Sequence, residues 1–316
     1  MNKKVSMMIT ILIVAVIAAF GFTKLKGNNS NDAENKAGGE LKITHELGET
    51  TLNKNPKKVV VFDYGILDSL DKMGIEPVAL PKSNIPKDLQ KYKDDKYTDV
   101  GTLQEPNFEK INELKPDLII ISARQAKLYE EFKKIAPTVY LAINNENYID
   151  SFNSNMKTLG EIFGKEEFVE KELKNIDDSI KALNEKVKAN GEDGLVIMVN
   201  EGALSAYGAE SRFGVIHKGF GFTPTDKDIK SSTHGQNVSF EYVAEKNPDY
   251  LFVIDRGAAI GGDSTAKQVL DNDLIKTTSA YKNNKIVYLD SEIWYVATGG
   301  FNTTMKMINE VEASVK

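Results

Sequence analysis

The sequence predicts an α/β fold of two Rossmann-like lobes, each with a central, mainly parallel sheet, joined by a single long rigid helix. Three observations predict it. A stretch of the chain recurs 132 residues further on. Short β-branched runs alternate with helical patterns on both sides of the middle, which implies parallel strands with helices on both faces. Between them lies a 24-residue stretch, Glu166 to Ala189, without Gly or Pro.

The chain starts with Lys3-Lys4 and then Val5 to Phe22, an uncharged, largely apolar run of 18 residues. A basic segment before such a run marks an export signal or an N-terminal membrane anchor. The run is long for a signal and barely spans a bilayer, which takes about 20 residues. Ala19-Phe20-Gly21 fits a cleavage site, so residues 1–22 are either a signal peptide or an anchor. From 23 to 40 the composition turns to Lys, Gly, Asn, Ser, Asp and Glu, a solvated tether. With 0 cysteines in the chain, lipid attachment through a Cys, disulfides and thiolate chemistry are all excluded.

The first lobe is expected over 41–155. It opens on a hairpin-like segment, Leu41 to Leu52, followed by a strand at Val59 to Phe62 and a helix from Ile66 to Met73. The inter-lobe linker covers 156–193. In it Val169, Leu173, Ile176, Ile180, Leu183 and Val187 recur at spacings of 4 and 3, the stripe of an amphipathic helix. At 1.5 Å per residue it would be roughly 36 Å long. Three heptads also suit a coiled coil, but beside a globular body intramolecular packing is the expectation. A packed helix limits hinge closure, so a largely preformed cleft is expected. The second lobe, 194–316, repeats the alternation, with strands at Leu195 to Val199, Tyr250 to Ile254 and Lys285 to Leu289.

The repeat aligns Asn107-Phe-Glu-Lys-Ile-Asn-Glu-Leu-Lys-Pro-Asp-Leu-Ile-Ile-Ile-Ser-Ala-Arg124 with Ser239-Phe-Glu-Tyr-Val-Ala-Glu-Lys-Asn-Pro-Asp-Tyr-Leu-Phe-Val-Ile-Asp-Arg256. Asn107 and Ser239 are helix caps, and each helix stops near Pro-Asp. A buried strand follows in both. Arg124 and Arg256 each stand eight positions after the proline, just past a strand's carboxyl end, where open α/β sheets bind ligands. Convergence on a common helix–turn–strand unit is the rival explanation; the matched Arg and Glu offsets favour relatedness.

A third arginine, Arg212, follows Ser211 near the start of a helix that the serine would cap. Arginines are a handful among the 40 basic residues. Placing them at strand and helix edges of a lysine-rich chain suggests recognition of an oxygen-rich anion by planar forks of donors. Surface ion pairs are the alternative for each one singly. His234, one of 3 histidines, lies in the polar loop Ser231-Ser-Thr-His-Gly-Gln, and Tyr295 follows the strand at 285–289. Trp294 beside it fits either the core or the pocket. The net charge of −6 argues against nucleic acid as a partner.

At these residues the sequence resembles the ferric catecholate siderophore-binding proteins of ABC importers, of the enterobactin- and petrobactin-uptake type. The likeness spans nearly all of the chain after the tether. It is densest in Ser211 to His217, Thr233-His-Gly235, Asn247 to Arg256 and Lys285 to Tyr295. The resemblance implies a class III solute-binding protein with the ligand held between its lobes, no permanently bound cofactor, and an Fe(III)-siderophore as ligand. It implies that Arg124, Arg212 and Arg256 surround the ferric catecholate. It implies that His234 and Tyr295 ligate iron when a siderophore leaves coordination sites open. Glu109 and Glu241 match the glutamates that dock onto the permease; as helix-start carboxylates they also suit the macrodipole. The chemistry agrees, because a ferric tris-catecholate carries three negative charges and phenolate and imidazole suit iron. The chain is expected to act as a monomer.

Two other readings remain. A haem- or cobalamin-binding importer subunit would share the architecture. An enzyme such as a hydrolase is disfavoured, as there is no G-x-S-x-G, P-loop or cysteine nucleophile. A zinc or manganese carrier would need a compact His and carboxylate set, which three scattered histidines do not supply.

Overall fold

In the computed structural model residues 39–263 and 265–315 are described, and they belong to one compact unit; the candidate export segment at 1–22 lies outside them. Strands β1 (Glu40–His45) and β2 (Gly48–Asn53) pair antiparallel as the expected hairpin. The Thr50 hydroxyl ties it to the first lobe by donating to the Thr138 carbonyl at 2.5 Å.

The first lobe is built on β3 (Val59–Val61), β4 (Ala79–Leu80), β5 (Thr98–Asp99), β6 (Leu118–Ile121) and β7 (Thr138–Tyr140), in the order β5-β4-β3-β6-β7. Every pairing in this sheet is parallel. The continuous apolar runs follow from burial on both faces. Val59, Val61, Leu118 and Ile120 point into the larger core, and Val60, Ile119 and Ile121 into a separate core on the other face.

The second lobe contains β8 (Asp193–Asn200), β9 (Ala203–Tyr207), β10 (Thr223–Pro224), β11 (Gln236–Val238), β12 (Tyr250–Asp255) and β13 (Ile286–Tyr288). Their order is β11-β9-β8-β12-β13, with β10 also on β8. Here β8, β12, β13 and β10 run parallel, while β9 and β11 are antiparallel additions. The antiparallel start comes from Glu201-Gly202, both at positive φ (50° and 86°), which is the backbone of a two-residue hairpin turn.

The helix Glu166–Asn190 buries Val169, Leu173, Ile176, Ile180, Leu183 and Val187, the residues of its apolar stripe, and Gly191 caps it at φ 68°. Its stripe packs against the helices Tyr148–Phe163 and Phe301–Ser314.

It does not brace the lobes alone. The C-terminal helix Phe301–Ser314 returns to the first lobe and packs on the helix Tyr64–Lys72. Its amino end is held from that helix: Asp68 accepts from the Asn302 backbone at 2.8 Å, and Ser69 accepts from Phe301 at 3.2 Å. The approach is so close that a Cβ on Gly65 would stand 2.2 Å from the Thr298 carbonyl oxygen. Two packed helices crossing between the lobes resist hinge bending. Among the described residues no helix is long and apolar enough to cross a membrane.

Candidate functional site

Each repeat delivers its arginine by the local route its sequence encodes. Asn107 and Ser239 cap their helices, accepting from the Lys110 and Tyr242 backbones, and both helices end on a left-handed residue, Lys115 or Asn247. After β6, Ser122 and Gln125 form a capping box that starts a 3₁₀ turn over Ala123–Leu128 and sets Arg124 at its second position. After β12, Asp255 caps the short helix Arg256–Ala259. Arg212 is placed otherwise. Ser211 is buried and donates to the Gly208 carbonyl at 2.5 Å, so it closes a turn and does not cap a helix. The helix begins later, at Val215, after Gly214; a Cβ on Gly214 would stand 2.1 Å from the Ala209 carbonyl oxygen, so this tight turn needs glycine.

The three arginines meet at Tyr295, the last residue of the short helix Ser291–Tyr295. Arg124 donates to the Tyr295 carbonyl at 2.9 Å from the first lobe, and Arg212 donates to the same oxygen at 2.5 Å. Arg256 donates to the Tyr295 phenol at 3.3 Å and to the Asn200 side chain at 3.1 Å. The Arg212 guanidinium lies 3.9 Å over the Tyr295 ring, a cation–π contact.

The chain has only these three arginines, and the fold gathers all of them. Ion pairs elsewhere are made by lysine, as in Lys42–Glu49 and Lys246–Asp226. Among the described residues no arginine has a carboxylate oxygen within ion-pair reach. The guanidinium groups are instead bonded to neutral acceptors, and the charge of Arg124 also acts, beyond ion-pair distance, on the Asp63 carboxyl. Burial lowers the Arg212 pKa, the Tyr295 phenol opposes this, and neighbouring Arg124 adds to it. Burial pushes the Tyr295 phenol up, but the Arg256 hydrogen bond and the charges of Arg212 and Arg256 outweigh it and hold the phenol below its ordinary value. A phenol so biased toward phenolate, ringed by cations, suits an anion or a hard metal ion.

Two cavities open on this cluster. The smaller, about 120 Å³, is lined by Arg124, Arg212, Arg256 and Tyr295, with Asn84 and Gln104 from the first lobe. The larger, about 280 Å³, shares Arg124, Arg212 and Val296 with it and extends to Asp63, Leu141 and Asn155. Contacts bridge the lobes beside them. The Lys87 backbone donates to Glu292 at 3.0 Å, and the Lys218 ammonium to the Glu146 carbonyl at 2.9 Å.

His234 is not among the residues lining either cavity. It is exposed, its backbone donates to Ser232, and its neighbour Thr233 lines the larger cavity. Trp294 is in the core, 1 % exposed, with its indole donating to Glu310 at 2.8 Å and its ring edge-on to Phe220. Glu109 and Glu241 are exposed in the first turns of the paired helices. Among the described residues no group of three or more His, Cys, Asp or Glu side chains is arranged to hold a metal. Sequence reasoning missed Asn200, Asn84, Asn145, Asn155 and Asp63. Asp63 had a signal, since it follows the apolar run of β3 directly, at the same carboxyl edge as the arginines.

Comparison with known proteins gives a consistent result. Residues 59–293 match the family described as periplasmic binding protein. The petrobactin-binding protein YclQ of Bacillus subtilis is 48 % identical over 314 residues, covering 98 % of both chains. Its crystal structure superposes with a TM-score of 0.86 at 52 % identity, over 88 % of this chain and 99 % of that one. The catecholate-siderophore binding protein VctP of Vibrio cholerae superposes with a TM-score of 0.84 at 41 % identity, over 87 % of this chain and 100 % of that one. The chain belongs to the periplasmic binding protein family.

Proposed function

We propose that this member of the periplasmic binding protein family captures an anionic ferric catecholate siderophore between its two lobes and delivers it to the permease of an ABC importer. The observation that carries the reading is the convergence of the chain's only three arginines on Tyr295, with neutral acceptors as their partners. Three like charges held together in a half-buried cleft repel one another, and a trianion relieves that repulsion while accepting charge-assisted hydrogen bonds. The same field speeds capture of the anion from solution. The names of YclQ and VctP, as petrobactin- and catecholate-siderophore-binding proteins, support the same ligand class.

The protein is a carrier and not an enzyme; it works as an exported monomer outside the cytoplasm, with residues 5–22 as signal or anchor. Tyr295 supplies a phenolate to iron, and His234 the second protein ligand, when a tetradentate siderophore leaves two positions open. His234 reaches the metal by movement of its polar loop, 231–235. Glu109 and Glu241, one on each lobe at matching offsets, dock onto the permease.

The test is a titration of residues 39–316 followed by quenching of Trp294, the only tryptophan. Ferric tris-catecholate should bind tightly. A tetradentate ferric bis-catecholate should bind too, and should lose affinity selectively in His234→Ala and Tyr295→Phe. Binding of haem or free Zn(II), with no response to any ferric catecholate, would overturn the reading.

A further inference from the structure

We infer that Asn200 is a positioning residue for the anion site: its neutral side-chain oxygen aims the Arg256 guanidinium and leaves the positive charge for the ligand. The inference rests on the proposed function and adds to it a residue outside the lining of both cavities.

Asn200 ends β8 at the carboxyl edge of the second sheet. Its place is fixed from two sides. On one side β8 runs parallel to β12, with Val199 opposite Asp255, so Asn200 comes level with Arg256. On the other side β9 folds back at once, with Asn200 opposite Ala203 across the Glu201-Gly202 turn. From this position the Asn200 oxygen accepts from Arg256 Nη1 at 3.1 Å, while Arg256 Nε donates to the Tyr295 hydroxyl at 3.3 Å. A guanidinium has donors only, so the amide must turn its oxygen toward it. Arg256 Nη2 has no acceptor among the described residues, which leaves one edge of the fork open to the oxygens of an anion.

The choice of an amide at 200 has to be accounted for. An acid would hold the same guanidinium more tightly, and the chain has 46 Asp and Glu residues. The turn does not demand asparagine, because Asp suits turns for the same reasons. Even the carboxylate next to Arg256 in the chain is given other work: Asp255 accepts from the Ala258, Thr265 and Ala266 backbones. What Asn offers over Asp here is the missing charge. A carboxylate at 200 would pair with Arg256 at contact distance, where opposite charges attract most strongly. An incoming anion would then have to compete with it. An apolar residue would keep the charge but leave the fork unaimed. Asparagine avoids both faults.

The experiment titrates ferric tris-catecholate into the full chain, Asn200→Asp and Asn200→Ala, each at two salt concentrations, and records Tm for all three. Asn200→Asp keeps the size, the turn and the acceptor and adds one negative charge. It should bind about ten- to a hundredfold more weakly, because one of three attracting charges is paired off. Its affinity should also fall less steeply with salt, while its Tm holds level or rises. Asn200→Ala keeps the charge and loses the aim. It should bind about three- to tenfold more weakly, the range of one lost hydrogen bond, with the salt dependence of the unmutated protein. A residue with only a structural part would lower affinity and Tm together in both variants and leave the salt dependence alone. That pattern overturns the inference. So does an Asp variant that binds no more weakly than the Ala variant, or an Ala variant that binds as tightly as the unmutated protein. Should the Asp variant not fold, the Ala variant decides alone by the same criterion. All of these outcomes leave the proposed function standing, whereas an unmutated protein that does not bind ferric tris-catecholate overturns both readings.

Discussion

Residues 107–124 and 239–256 build the same helix–strand–arginine unit twice, and the two arginines end in different company. Both units share a capped start, a left-handed stop and a strand in the middle of a parallel set. Past the strand they part. In the first, Gln125 takes the Ser122 N–H and donates to the Leu103 carbonyl, which leaves Arg124 to reach across the cleft to Tyr295. In the second, Asp255 gathers the Ala258, Thr265 and Ala266 N–H groups, and Arg256 stays within its own lobe on Asn200 and the Tyr295 phenol. The local code thus fixes where an arginine stands. What it does there depends on the side chains it faces.

The largest effect expected from this comparison concerns the glutamates at matching places in the two units. Glu109→Lys with Glu241→Lys should abolish siderophore uptake by cells, measured with ⁵⁵Fe, while leaving ligand affinity intact. Each single reversal then reports whether the two lobes dock with equal weight. Normal uptake by the double variant would remove both residues from docking.

The arginines come next. Arg124→Ala, Arg212→Ala and Arg256→Ala should each weaken ferric catecholate binding by about 1.5–3 kcal/mol, the scale of hydrogen bonds to charged groups. Arg212 should lie at the upper end, because it is held between Arg124 and the Tyr295 ring. Arg124→Ala removes a bond between lobes and Arg256→Ala one within a lobe, so only the former should raise hydrogen exchange at Tyr295 and its neighbours. Three unchanged titrations would take the cluster out of the site.

Much of this was legible in the sequence because its signals were local. The six-residue stripe of the Glu166–Asn190 helix, both caps of the repeat and the arginine offsets are all written within a few turns of chain. The features that escaped are set by distant partners. Nothing near Phe301 announces that its helix will be held by Asp68 and Ser69, more than 200 residues earlier in the chain. Ser211-Arg-Phe-Gly has the look of a capped helix start, yet the Gly208 carbonyl claims the serine hydroxyl and moves the start to Val215. Trp294 went to the core because Glu310, on the C-terminal helix, offers its indole a partner there. The antiparallel strands of the second sheet had a readable cue in Glu-Gly at 201–202, but the strand–helix alternation of both halves pointed to parallel pairing and gave no reason to expect them.

The smallest effect tests the point where the two units are most alike. Lys115 and Asn247 end their helices at φ 48° and 46°, a conformation that glycine adopts freely, asparagine readily and lysine least well. Lys115 is exposed, so Lys115→Gly relieves strain in the folded state and is opposed by the extra freedom glycine gives the unfolded chain. The net should be a gain of about 0.5 kcal/mol, read as a higher urea midpoint at constant slope. Asn247→Gly has less strain to relieve, and it also removes the Asn247 side-chain oxygen that accepts from the Ser279 backbone at 2.8 Å. That variant should lose about 0.5–1.5 kcal/mol. Opposite signs at equivalent positions would show that the second unit is tied to its lobe by a bond the first does without. Equal shifts would mean that the left-handed stop alone governs both.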